Sequence, residues 1–157
     1  MTASSVTIRR ATDGDRGGVW PLARDFATSF RPERSAFDAV FARLLVREDT
    51  LVLVAAEDDD IRGYLLASRH DTFLANGPVG WVEEIMVADA ARRRGIGGLL
   101  MTAAEEWAHE TGAAYLALAS RRAGPFYLAL GYEDSAVFFK KTFAPQVTGS
   151  NSRSRRA

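Results

Sequence analysis

The chain contains no cysteine. That absence excludes disulfides, thiolate metal sites and a covalent cysteine intermediate, and it suits a reducing cytoplasm. Histidine is nearly as scarce: His70 and His109 are the only two, too few for a histidine-built metal centre, so no metal is expected. No uninterrupted apolar run reaches the ~20 residues of a membrane-spanning helix, and the opening M-T-A-S-S-V-T-I-R-R lacks the apolar core of a signal peptide. A soluble, cytoplasmic protein is the expectation. Net charge is also missing, with 20 basic against 20 acidic residues, and Arg153, Arg155 and Arg156 lie in a terminal stretch without acids. The rest of the chain is therefore slightly acidic, whereas a nucleic-acid-binding body carries a clear basic excess.

What is present suffices for one domain. The chain has 157 residues, 47% of them hydrophobic, enough for a single core. Thr7 to Arg9 reads as a first strand, with Asp13 and Asp15 as cap candidates for a helix from Gly18 to Ser29. A second helix from Pro32 to Arg47 sets Phe37, Val40, Phe41, Leu44 and Leu45 on one face. Leu51 to Ala56 and Ile61 to Ser68 are β-rich and flank an acidic turn, Glu57 to Asp60, which predicts a hairpin with a solvated tip. Trp81 to Val87 is a fourth strand. A helix with Ile96, Leu100, Ala103 and Trp107 at helical spacing then runs to Gly112, its polar side carrying Glu105, Glu106, His109 and Glu110. Tyr115 to Ala119 is predicted as a buried strand, Ala123 to Leu130 as a short helix and Ala136 to Phe143 as a last strand. The predicted class is a single-domain mixed α/β sheet flanked by helices, in the order β-α-α-β-β-β-α-β-α-β. The domain spans residues 1–143, and residues 144–157 are expected to be a disordered basic tail.

The most informative segment is Val87 to Gly98, V-A-D-A-A-R-R-R-G-I-G-G, which leaves an apolar strand and enters a helix through three arginines and three glycines. Glycines let backbone N–H groups approach an anion, and the first turn of a helix leaves such groups unpaired at the positive end of its dipole. Two nucleotide motifs are excluded. A P-loop requires lysine and a hydroxyl after its last glycine, and a dinucleotide fingerprint requires glycine where Leu100 stands. What remains is R-x-x-G-x-G, Arg92 to Gly97.

That string, after a strand ending E-E-I-M-V, resembles the acyl-coenzyme A binding motif of the GNAT superfamily of N-acetyltransferases. The opening I-R-R-A-T-D-G-D resembles the family's first strand and helix cap, and Ala123 to Tyr132, A-G-P-F-Y-L-A-L-G-Y, resembles its late A-x-x-F-Y-x-x-x-G-[FY] motif. The resemblance covers residues 6–143. One departure is Ser120, where the family often carries an asparagine three residues before that alanine.

The resemblance implies an N-acetyltransferase that moves an acetyl group from acetyl-coenzyme A to a primary amine by direct attack in a ternary complex. It implies acetyl-coenzyme A as cosubstrate, a small-molecule or peptide amine as partner, and it allows a homodimer. Backbone groups over Arg92, Arg93, Arg94, Gly95, Ile96, Gly97 and Gly98 would cradle the pyrophosphate, and Ile85, Met86 and Val87 would offer an open strand edge to the pantetheine arm. An ammonium with a pKa near ~10 needs a carboxylate to draw off its proton. Glu83 and Glu84 are the candidates, with Glu83 favoured as base by its position in the family and Glu84 assigned to substrate binding. Strand alternation gives Glu83 the parity of Ile85 and Val87, making it a buried acid if those two face the core, unless a bulge intervenes. Tyr127 matches the tyrosine that protonates the departing sulfur in many members. Phe26, Phe30, Arg31 and His70 are candidate acceptor contacts. The alternative is a catalytically silent acyl-coenzyme A binding regulator.

Overall fold

The computed structural model describes residues 4–146. One five-stranded sheet has helices on both faces, and its strands lie in chain order: β1 (Thr7–Arg10), β2 (Thr50–Glu57), β3 (Asp60–Thr72), β4 (Gly77–Val87) and β5 (Leu116–Leu118). The first four pair antiparallel and β5 joins β4 in parallel. Helices α1 (Arg16–Phe26) and α2 (Arg34–Leu45) cover one face, and α3 (Ile96–Glu110) covers the other. The short helix α4 (Gly124–Ala129) follows β5.

Strand β2 is buried on both faces, so it reads as a continuous apolar run rather than an alternation. Leu51, Leu53 and Ala55 pack with Ile96, Leu100 and Trp107 of α3, while Val52 and Val54 pack with Val19, Leu22 and Phe41 of α1 and α2. The two cores lie back to back across the sheet. On the α1–α2 side the rings of Trp20, Phe37 and Phe41 follow one another at 5.2 and 5.6 Å. The entry to α1 is set by Asp15, whose carboxylate accepts the Thr12 N–H at 2.7 Å and the Arg9 guanidinium at 2.7 and 2.9 Å. Cap and first strand are thereby tied together.

Two expectations about elements are corrected. No ladder forms over Ala136 to Phe143: Val137, Phe139 and Phe143 are strongly exposed, although Phe138 stacks on Trp81 at 6.5 Å. β-propensity measures the fit to a pleated, half-buried surface, and β5, only three residues long, offers little such surface to pair with. β5 is likewise half-buried rather than buried. Of the expected tail, Ala144 to Gln146 are exposed and irregular, and the remainder lies outside the described residues.

Candidate active site

The site begins where two strands part. β5 pairs with β4 only through Gly80–Leu116, Trp81–Ala117 and Val82–Leu118. From Glu83 to Val87, β4 has no partner on that side among the described residues, which leaves an edge of backbone groups open to an extended ligand. Close approach at the paired end depends on a glycine: a Cβ on Gly80 would lie 2.9 Å from the Leu116 side chain.

On its other side β4 carries a bulge. Leu66 of β3 faces Glu84 and Ala67 faces Val82, so Glu83 is the extra residue. This overturns simple alternation. Val82, Ile85 and Val87 all pack toward α3, Met86 packs toward α1 and α2, and Glu83 is exposed instead of entering the core. Two adjacent carboxylates thus occupy different surroundings. Partial desolvation raises the Glu83 carboxyl above its usual range, and the charge of nearby His70 opposes the shift. Glu84 is half-buried on the α1–α2 side, where its Oε1 accepts the Tyr64 hydroxyl at 2.9 Å. Burial raises Glu84 as well, the Tyr64 hydrogen bond opposes that shift, and the charge of Glu83 adds to it.

The arginine and glycine turn follows the end of β4, where Arg92 reaches the Val87 carbonyl. Leu99 N–H donates to the Gly95 carbonyl at 3.1 Å, the first backbone bond of α3, so the N–H groups of Ile96, Gly97 and Gly98 have no backbone acceptor among the described residues. Gly95 holds φ at +77°, in the left-handed region that favours glycine. A Cβ on Gly98 would meet open space, whereas one on Gly97 would lie 3.3 Å from the Phe126 ring. Ile96 itself is buried in the core, leaving its backbone for a ligand.

The three arginines are not equivalent. Arg92 Nε donates to the Val87 carbonyl at 3.3 Å, and its guanidinium pairs with Asp89 at 3.1 Å. Arg93 has φ +65° and forms no ion pair among the described residues. Arg94 makes a two-point pair with Glu57, 37 positions away, at 2.7 and 3.0 Å, and Arg62 Nε reaches the same carboxylate at 3.0 Å. The Arg94 hydrogen bonds hold Glu57 well below the usual carboxylate range, at about 2, with Arg62 contributing less. The Arg94 side chain therefore fastens the turn to the β2–β3 hairpin. Glu57 is only 8% exposed and stands outside the solvated tip that its acidic neighbours suggest.

Tyr127 lies in α4, half-buried, with its ring edge-on to Phe126 at 5.0 Å and to Tyr132 at 5.9 Å. Burial raises its hydroxyl above the ordinary phenol value, and the hydroxyl has no hydrogen-bond partner among the described residues. Phe126 packs α4 against Gly97, which brings Tyr127 to the α3 end of the cleft. Ser120, where the family often has asparagine, accepts the Ala123 N–H at 3.0 Å and shapes the entry to α4. Its hydroxyl is thus engaged within the protein.

The acceptor candidates are scattered. His70 is exposed near Glu83, while Phe26, Phe30 and Arg31 are exposed at the end of α1 and in the following connection. None of these three lines the cavity of about 80 Å³ between α1, α2 and the sheet, which reaches Tyr64 and Glu84. Tyr64, 3% exposed, escapes sequence reasoning because a tyrosine in an apolar strand reads as packing; the missing signal is its hydroxyl facing Glu84, twenty positions away.

A sequence model described as the acetyltransferase (GNAT) family matches residues 18–132. The aminoglycoside N(6')-acetyltransferase type 1 of Stenotrophomonas maltophilia is 29% identical, over 94% of this chain and all of that protein. Among solved structures, a transcriptional regulator from Bacillus halodurans C-125 superposes with a TM-score of 0.78 at 28% identity, covering 88% of this chain and 100% of that one. The aminoglycoside N-acetyltransferase AAC(6')-Iy, solved in complex with CoA, gives 0.77 at 22% identity, covering 88% of this chain and 96% of that one. The first two resemble this chain in sequence and the third in fold. With the family model spanning residues 18–132, the chain belongs to the acetyltransferase (GNAT) family.

Proposed function

We propose that the protein transfers the acetyl group of acetyl-coenzyme A to the amine of a small molecule, in a ternary complex. One observation carries this reading. The free N–H groups of Ile96 to Gly98 and the unpaired edge of Glu83 to Val87 together form an anion cradle continued by a strand edge, which matches a pyrophosphate joined to an amide-bearing arm. Gly98 offers the open space that such a ligand needs. Acetyl-coenzyme A supplies an activated thioester. The aminoglycoside acetyltransferases that the chain resembles in sequence and fold favour a small-molecule acceptor.

The protein's residues divide the chemistry. Glu83, on the bulge, accepts a proton from the substrate ammonium, directly or through water, and passes it to solvent. The freed nitrogen attacks the thioester carbonyl carbon while a backbone N–H near Val87 stabilises the developing oxyanion. The carbon–sulfur bond then breaks, and Tyr127 donates its proton to the departing thiolate. The second proton of the new amide nitrogen restores Tyr127. Without a cysteine, no thiol acyl-enzyme precedes this step.

The test is thiol release from acetyl-coenzyme A across a panel of amines, paired with a thermal shift for cofactor binding. Release that depends on amine supports the reading, and its absence on every amine defeats it. A second reading, an acyl-coenzyme A binding regulator without chemistry, is favoured by the regulator from Bacillus halodurans. It predicts a thermal shift with no turnover.

A further inference from the structure

Glu84, the neighbour of bulged Glu83 on the α1–α2 side of β4, is the informative carboxylate. Among the described residues, Glu84 is the only charged one lining the cavity between α1, α2 and the sheet. The rest of the lining, apart from the Tyr64 ring, is aliphatic or phenyl, including Val19, Phe37, Phe41, Leu44 and Leu66. Its volume of about 80 Å³ leaves room for several water-sized groups, since one water needs roughly 10–15 Å³ by this measure. Water suits it poorly. A water there needs two to four polar partners, yet the Tyr64 proton is already donated to Glu84 Oε1 at 2.9 Å and the remaining walls are apolar, which leaves the second Glu84 carboxylate oxygen, unengaged among the described residues, as the group a ligand can meet. A chain of methylenes or a small ring loses nothing there and gains by leaving solvent.

The position of Glu84 gives this cavity a direction. The residue follows bulged Glu83 and lies within the open edge of Glu83 to Val87. A cation held by Glu84 therefore lies beside the base and beside the strand edge, with its apolar remainder pointing between α1 and α2. A polycationic sugar finds no match here, because each further ammonium would be desolvated against apolar walls without a second carboxylate.

We infer that this cavity is an acceptor subsite for a monocationic primary amine with an apolar body, an alkylamine or arylalkylamine, whose ammonium is held by the Glu84 carboxylate and whose body fills the space between α1, α2 and the sheet. The inference rests on the acetyl-transfer reading for its consequence, but the subsite itself can be tested by binding alone.

The experiment titrates the full chain with linear primary amines from ethylamine to hexylamine by calorimetry, without acetyl-coenzyme A, and repeats the series as thiol release with it. Affinity should rise about fourfold per methylene until the cavity is full, as expected from ~0.8 kcal/mol per buried CH₂. Glu84→Gln should weaken every amine at least tenfold and cost kcat/KM through KM. Ala23→Leu, which adds bulk to the cavity wall, should flatten the chain-length series. Circular dichroism and the acetyl-coenzyme A thermal shift show whether each variant is folded. A flat series in the wild type, or tighter binding of a polycationic amino sugar than of hexylamine, overturns the inference. Chain-length-dependent binding without thiol release would uphold the subsite and defeat acetyl transfer; thiol release only on polycations would do the reverse.

Discussion

Glu83 and Glu84 are neighbours in sequence with different environments, and the bulge causes the difference. One extra residue in β4 turns Glu83 outward near His70 and leaves Glu84 against Tyr64. Desolvation raises Glu83, so its ionisation, and with it kcat/KM, should climb through a pH range above the ~4.3 of an ordinary glutamate. Glu83→Gln should remove that acid limb from the pH–rate profile and lower the plateau. A profile that keeps the limb assigns the base elsewhere. Tyr127→Phe removes a hydroxyl that has no hydrogen-bond partner among the described residues, so little stability should be lost. Turnover should nevertheless fall by about 10²-fold, as for loss of a general acid, with coenzyme A affinity nearly unchanged, read by steady-state kinetics and thermal shift.

At the scale of elements, the turn before α3 is held from behind. Arg94 reaches Glu57 at the end of β2, so the glycine turn is tied to the β2–β3 hairpin. Glu57 is depressed to about 2, so its contribution to stability is fully present above its unfolded value near 4.5 and is lost as pH falls toward 2. Wild type should therefore melt above Glu57→Gln at neutral pH, and the two melting temperatures should converge toward pH 2. The same variant should bind coenzyme A more weakly. Gly98→Ala separates fold from function differently. A Cβ there meets no protein atom, and alanine favours a helix by ~1 kcal/mol over glycine, so stability should hold or rise while acyl-coenzyme A affinity drops.

These elements also show what a sequence can carry. The α3 stripe of Ile96, Leu100 and Trp107, the β-rich run of β2 and the glycine-rich entry to α3 were legible because each depends on local period, local propensity or local backbone freedom. The bulge at Glu83 stood in the sequence reading only as the exception to strand alternation, since its position is a property of two paired strands and appears as a skipped partner opposite Leu66 and Ala67. Glu57 was hidden by its own neighbours, Asp58 to Asp60, which make the hairpin look uniformly solvated. The last strand failed for a related reason: Val137, Phe138 and Phe139 have strand-forming side chains, but pairing requires an edge that three-residue β5 scarcely offers.

For the molecule as a whole, the sheet separates two tasks. The α3 face and the parted strands present free N–H groups and an open edge, and the α1–α2 face holds an apolar cavity ending at Glu84. β4 belongs to both, so the two substrates would meet across one strand. Acetyl-coenzyme A at about 100 times its dissociation constant should stabilise the fold by roughly 2.7 kcal/mol, a shift that deleting residues 144–157 should leave intact because the cradle lies in α3 and β4. The central claim is transfer itself, and mass spectrometry of the acceptor after incubation with the full chain and acetyl-coenzyme A tests it most directly. The account predicts a primary amine heavier by one acetyl group, formed with an equal amount of free thiol and at least tenfold more slowly by Tyr127→Phe. Thiol release without an acetylated amine, or an equal rate from the variant, would contradict it.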